Sequence, residues 1–230
     1  MSIAQFPVSR TLDLPGTGRL LISTDLHGNF QDFQQLCRIF LQQLQENPQT
    51  FWVQLGDLVH GPAPEDQALF PEILDAPDQS VALIEAFVEL QQKYPSQVFF
   101  VLGNHEHGHL GGMHTRKFHP DEVLFLERCL GQKKAVFKKL LAGAQIAIRA
   151  PCGLLLTHAC PDATPQKWED LAEIPWDPSD AYQKRLIDGF LWHRGHSEKI
   201  TRKLLETVGC RILVHGHEIE PEGWYSEHSA

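Results

Sequence analysis

Five short polar blocks punctuate the chain, each directly after an apolar run. Asp25-Leu26-His27 follows 19–24, Gly56-Asp57 follows 51–55, Gly103-Asn104-His105-Glu106 follows 98–102, His158 follows 153–157, and His215-Gly216-His217 follows 211–214. Short apolar runs bounded by polar turns read as buried strands. Strand, polar loop and helix in repetition imply parallel strands with right-handed crossovers, whose sites form at the carboxyl ends of the strands. A fold for this chain must therefore gather the five blocks along one rim.

The segments between the blocks agree with an α/β fold. Phe33, Leu36, Phe40 and Leu44 make one stripe of a 3.6-residue repeat, and Asn47-Pro48 should end that helix. The Pro-rich stretch 61–79 exceeds the ~12–15 residues usual for a plain connection, which predicts a short helix inside a lid or substrate-side insertion. The next helix spans 80–94, with Ser80 as N-cap and Val81, Ile84, Phe87 and Val88 inward. One or two helices are expected over 120–142. From Ala144 the texture changes to strands over 145–149 and 153–157 joined by a turn at 150–153, implying a second sheet, with helices again over 181–208.

A length of 230 residues with 42% hydrophobic content predicts one globular domain over 1–230. The formal net charge of -9 disfavours nucleic-acid binding, which depends on Lys and Arg neutralising phosphates. No window approaches the ~18 apolar residues of a membrane span, so a soluble, cytoplasmic protein is expected. Cys37, Cys129, Cys152, Cys160 and Cys210 are scattered without a CxxC pair, which indicates buried thiols, neither a disulfide framework nor a cysteine zinc site.

The residue types in the blocks are carboxylates, imidazoles and one amide. Mixed N/O donors of this kind suit Mn, Fe or Zn, whereas Ca or Mg would favour oxygen alone. The Asp-x-His spacing brings two side chains to one ion, and one Asp can bridge two.

The order of blocks resembles the calcineurin-like metallophosphoesterase superfamily, and within it the phosphoprotein phosphatase branch of bacterial type, over about 19–225. The GNHE block at 103–106 is its most specific motif. The resemblance implies a two-sheet β-sandwich flanked by helices, a four-layer αββα fold. It also implies two divalent ions, manganese foremost and iron or zinc as alternatives. Asp25 and His27 would hold the first, Asp57 would bridge, and Asn104, His158 and His217 would hold the second. His105 would be the catalytic histidine that protonates the leaving oxygen after attack by a metal-activated hydroxide. The implied activity is phosphate monoester hydrolysis, with a phosphorylated protein (serine, threonine or tyrosine) or a small phosphate ester as substrate. A nucleotide or dinucleotide polyphosphate hydrolase is the alternative enzyme, and a non-catalytic metal- or partner-binding member the alternative of another class.

The chain departs from the branch in its second block, which reads GDLVHGP where GDxxDRG is usual. His60 replaces the Asp that orients the catalytic histidine, and Gly61 replaces a phosphate-gripping Arg. Glu106 or Asp32 could partner His105 instead, and Arg194 or Arg116 could supply the cation; Arg194 and His60 are the candidate substrate contacts. His217 is preferred over His215 as ligand. The end at Ala230 leads us to expect a small second sheet or an edge covered by another subunit. His107, His109, His114 and His119 read as exposed loop residues, Trp168, Trp176 and Trp192 as packing residues, and the Lys133-Lys134 and Lys138-Lys139 pairs as a solvated helix face.

Overall fold

The computed structural model describes residues 9–226. Strand β1 (Thr11–Asp13) precedes a βαβ succession: β2 (Arg19–Ser23), α1 (Phe30–Glu46), β3 (Thr50–Gln54), α2 (Pro64–Leu69), α3 (Ser80–Lys93) and β4 (Val98–Phe100). Then come α4 (Asn104–His107), α5 (Glu122–Leu130), α6 (Lys134–Ala142), the hairpin β5 (Ala147–Ala150) and β6 (Leu154–Thr157), α7 (Ala181–Trp192), α8 (Glu198–Val208) and β7 (Ile212–Val214).

Strands β2, β3 and β4 form one all-parallel sheet in that order. The 19–24 run, read as a buried strand, is only half-buried because β2 is the edge of this sheet, while central β3 is nearly all buried. The second sheet has the order β1-β5-β6-β7 and is the larger of the two, because β1 and β7 each add a parallel strand to the β5-β6 hairpin. A bridge between Val101 and Gln145 stitches the sheets together just past β4.

Alternation along each strand sorts the core into layers. Val53, Leu20, Ile22 and Phe99 of the first sheet meet Ile148, Leu156, Leu12 and Val214 of the second in one cluster between the sheets. The opposite face of β3 carries Trp52, fully buried, whose ring lies 5.9 Å from Phe33, 5.8 Å from Phe40 and 6.3 Å from Phe87, so α1 and α3 cover that side. Leu155 on the outer face of β6 joins a cluster with Leu186 and Phe190 of α7 and Leu204 and Val208 of α8. The result is two sheets flanked by helices, in four layers.

Helix α1 begins where Asn29 accepts from the Asp32 N–H at 3.1 Å and donates its Nδ2–H to the Asp32 carboxylate at 2.8 Å, so Asp32 pairs with the cap residue and not with His105. Ser80 is the first residue of α3 and not its N-cap; its hydroxyl accepts the His60 N–H at 2.9 Å and is itself bound to Asp78. Among the described residues no helix is long and apolar enough to cross a membrane.

Candidate active site

The carboxyl ends of β2, β3, β4, β6 and β7 deliver the five polar blocks to one rim. Backbone bonds extend the pairing past the strands: His27 N–H reaches Asp57 O at 2.9 Å, and Gly28 N–H reaches Leu58 O at 2.8 Å. Asp25, His27, Asp57, His60 and His217 all adopt positive φ, between 44° and 73°. For residues with a Cβ this region costs about 1–3 kcal/mol each, and such strain collects where side chains are aimed for function. Glycine makes the close approach possible. A Cβ on Gly103 would stand 2.2 Å from Asp57 Oδ1, and one on Gly216 would stand 2.2 Å from Asp25 Oδ2.

Asp57 lies between two clusters of donors. Its Oδ2 is 3.7 Å from His27 Nε2 and 4.0 Å from His105 Nε2, and its Oδ1 is 3.5 Å from His158 Nε2. His27 also stands 3.8 Å from Asp25 Oδ1 and gives its Nδ1–H to His60 O at 3.0 Å, which leaves Nε2 as its lone pair. His158 likewise gives Nδ1–H to Leu55 O at 2.7 Å. Its bare Nε2 then faces Asn104 Oδ1 at 2.9 Å and His217 Nδ1 at 3.1 Å. His217 directs its other nitrogen to Trp192 O at 3.3 Å.

Lone pairs of His158, His217, Asn104 and Asp57 therefore converge with no proton of their own between them. A cation fits such a set. Burial lowers the His158 imidazole, but the carboxylates of Asp57 and Asp25 outweigh it and raise the group, the same negative field that would favour a cation there. Burial pushes the Asp57 carboxyl up and, with His158 and Arg194 nearby, the His217 imidazole down to about 2. The donor set, with each ligand histidine oriented through its second nitrogen, suits a pair of divalent ions.

Glu106 is fully buried and accepts the backbone N–H groups of Asp57, Leu58, Val59 and Gly103 at 2.8–3.2 Å. It shapes the loop beneath Asp57 and is not the partner of His105. That partner is His60, whose Nδ1 lies 3.2 Å from His105 Nδ1 and whose Nε2 lies 3.1 Å from His109 Nε2. His109 Nδ1 reaches Glu127 Oε1 at 3.4 Å, and Glu127 also binds Lys134 and Lys138. Burial would raise the Glu127 carboxyl, but hydrogen bonds from Lys138, Lys134 and His109 outweigh it and hold the group near 2.

The carboxylate end sets the direction of the whole chain. Glu127 can only accept, so His109 carries its proton on Nδ1 and accepts at Nε2. His60 then donates from Nε2 and accepts at Nδ1, and His105 donates from Nδ1. The free Nε2 of His105 faces Asp57 and the candidate ions.

All six expected ligands, His105 and His60 thus come together. Arg194 is exposed at the rim, anchored by Nη1 to His217 O at 2.8 Å. His107 and His109, expected on an exposed loop, are buried at 3% exposure each. His107 is satisfied structurally, giving Nε2–H to Trp176 O at 2.6 Å and accepting from Trp192 Nε1 at 3.0 Å. His109 and Glu127 escaped sequence reading, although the i,i+4 spacing of His105 and His109 would put both on one helical face.

Residues 18–221 match the family described as calcineurin-like phosphoesterase. No curated protein matches the chain. Among solved structures, a protein serine/threonine phosphatase from Saccharomyces cerevisiae superposes with a TM-score of 0.54 at 18% identity, covering 94% of this chain and 66% of that one. A cold-active protein-tyrosine phosphatase of a psychrophilic Shewanella species gives 0.55 at 15% identity, covering 91% and 67%. The chain thus spans about two thirds of the length of these structures, and at such identity the likeness concerns the fold.

Proposed function

Because the chain belongs to the calcineurin-like phosphoesterase family, we propose that it is a two-metal phosphomonoesterase acting on phosphorylated proteins at serine, threonine or tyrosine. The observation that carries this reading is the position of Asp57, with one oxygen toward His27 and the other toward His158. Asp25, His27 and Asp57 would hold one ion, and Asp57, Asn104, His158 and His217 the other. Manganese suits these donors foremost, with iron and zinc next. Bound divalent ions supply positive charge for the phosphoryl oxygens and lower the pKa of a water.

The chain's own residues do the rest. Arg194, fixed by its bond to the His217 carbonyl, presents its remaining guanidinium N–H groups to a phosphoryl oxygen and takes the place of the Arg missing at Gly61. His105 Nε2 takes up a proton as the anionic phosphoryl group arrives and delivers it to the leaving oxygen. His60 is a positioning residue on this reading, since both its ring nitrogens are engaged. The phosphoprotein substrate class rests on the named activities of the two similar folds. The match over 18–221 supports reading the chain as one catalytic domain.

Release of phosphate from phosphopeptides should be compared with hydrolysis of diadenosine tetraphosphate in added manganese. Faster phosphopeptide turnover is the expected result. Preference for the dinucleotide would move the substrate class to polyphosphates, and binding of metal with no hydrolysis of either would leave a non-catalytic member.

A further inference from the structure

A second cluster of soft donors stands beside the first. Cys160, His196 and His215 each bring one ligand atom within 4.8 Å of the others. Cys160 lies two residues past His158 and His215 two residues before His217, so the loops following neighbouring parallel strands β6 and β7 each supply one donor to either cluster. His196 comes from the turn after α7, next to Arg194 and Gly195.

The surroundings orient both imidazoles. His215 uses Nδ1 on the Gly216 carbonyl at 2.9 Å. His196 Nε2 lies 3.2 Å from Glu218 Oε2 and 2.5 Å from the Tyr225 hydroxyl, while Gly195 N–H holds Glu218 Oε1 at 2.7 Å. A carboxylate or carbonyl on one nitrogen of a histidine fixes its tautomer and strengthens the other nitrogen as a ligand, an arrangement that recurs around protein-bound metals. Cys160 is buried and both imidazoles are partly buried, which limits competition from water.

We propose that Cys160, His196 and His215 form a zinc site separate from the hydrolytic centre, with water as fourth ligand. One thiolate with two imidazoles is a borderline-soft set that selects zinc over manganese. The ion ties together the chain past β6, the turn carrying Arg194 and the chain past β7. These segments are far apart in sequence, so no CxxC-like spacing announces the site. The proposal does not depend on the hydrolytic reading.

The test uses the full chain, stripped by a chelator and titrated with cobalt(II). The hydrolytic donors include no sulfur, so a near-ultraviolet thiolate-to-cobalt charge-transfer band can come only from a cysteine ligand. The wild type should show this band, saturable with added cobalt and displaced by zinc. Cys160→Ser and His215→Gln should lose it, while Cys160→Ser keeps its manganese-dependent phosphate release. A folded wild type without the band, or a band that survives Cys160→Ser, overturns the proposal; absence of the band in a protein that still hydrolyses esters sinks this site alone.

Discussion

His60 Nδ1 lies 3.2 Å from His105 Nδ1, so an imidazole occupies the place where an acidic partner of His105, the proposed proton donor, was expected. An imidazole can play that part because Glu127, two rings further on, fixes which nitrogen of each carries the proton. Truncating His60 to Ala should slow hydrolysis of an alkyl phosphate by about 10²–10⁴, the usual worth of general acid catalysis. An aryl phosphate, whose leaving group departs without a proton, should be much less affected, and His60→Asp should recover most of the loss. Equal slowing of both esters would show that His60 merely supports the fold.

His109 gives the same chain a signature in pH. Burial lowers its imidazole to about 4 despite the hydrogen bond to Glu127. Its unfolded value is about 6.5. Between these values the unfolded chain binds the extra proton, so stability falls as pH drops from about 6.5 to 4, by about 3 kcal/mol in all for this group. Glu127 acts lower: its folded value near 2 means its contribution is present above about 4.3 and is lost as pH falls further. Urea unfolding of metal-free protein at pH 7 and pH 4.5 should show a steeper loss for the wild type than for His109→Gln. Identical losses would contradict the assignment.

Glu106 should prove structural. Replacing it with Gln leaves an amide NH2 able to face the N–H groups of Asp57, Leu58, Val59 and Gly103, so some of them lose their acceptor. The expected cost is about 1–3 kcal/mol of stability, together with weaker metal binding as the Asp57 loop relaxes. Denaturation and metal titration of the variant check both, and unchanged stability would argue against the role.

The strands, the helices and the gathering of the five blocks were legible because each rests on local signals: apolar periodicity, and a polar residue at a strand end. The six expected ligands, Asp57 among them, share the additional signal of motif order. Partnerships across the fold were not legible. Glu106 and Asp32 were plausible partners of His105 by proximity in sequence, but the Glu106 carboxylate is consumed by backbone N–H groups that only the folded loops bring into reach, and the Asp32 carboxylate accepts from the Asn29 side-chain amide at the start of α1. Burial of His107 and His109 depended on Trp176, Trp192 and Phe137 closing over a segment whose Gly and His content reads as exposed. The second sheet was underestimated because β1, three residues long, is too short to show a period, and the strand read at 211–214 carries no local signal of the sheet it joins.

The central claim is that Asp57 spans two ions. It is tested most directly by phosphate release from p-nitrophenyl phosphate in added manganese, comparing wild type with Asp57→Asn while metal content is measured on both. The account predicts metal-dependent release by the wild type, with about 10²-fold or greater loss in the variant and at least one ion fewer bound. Metal-dependent release that is undiminished in Asp57→Asn would contradict it.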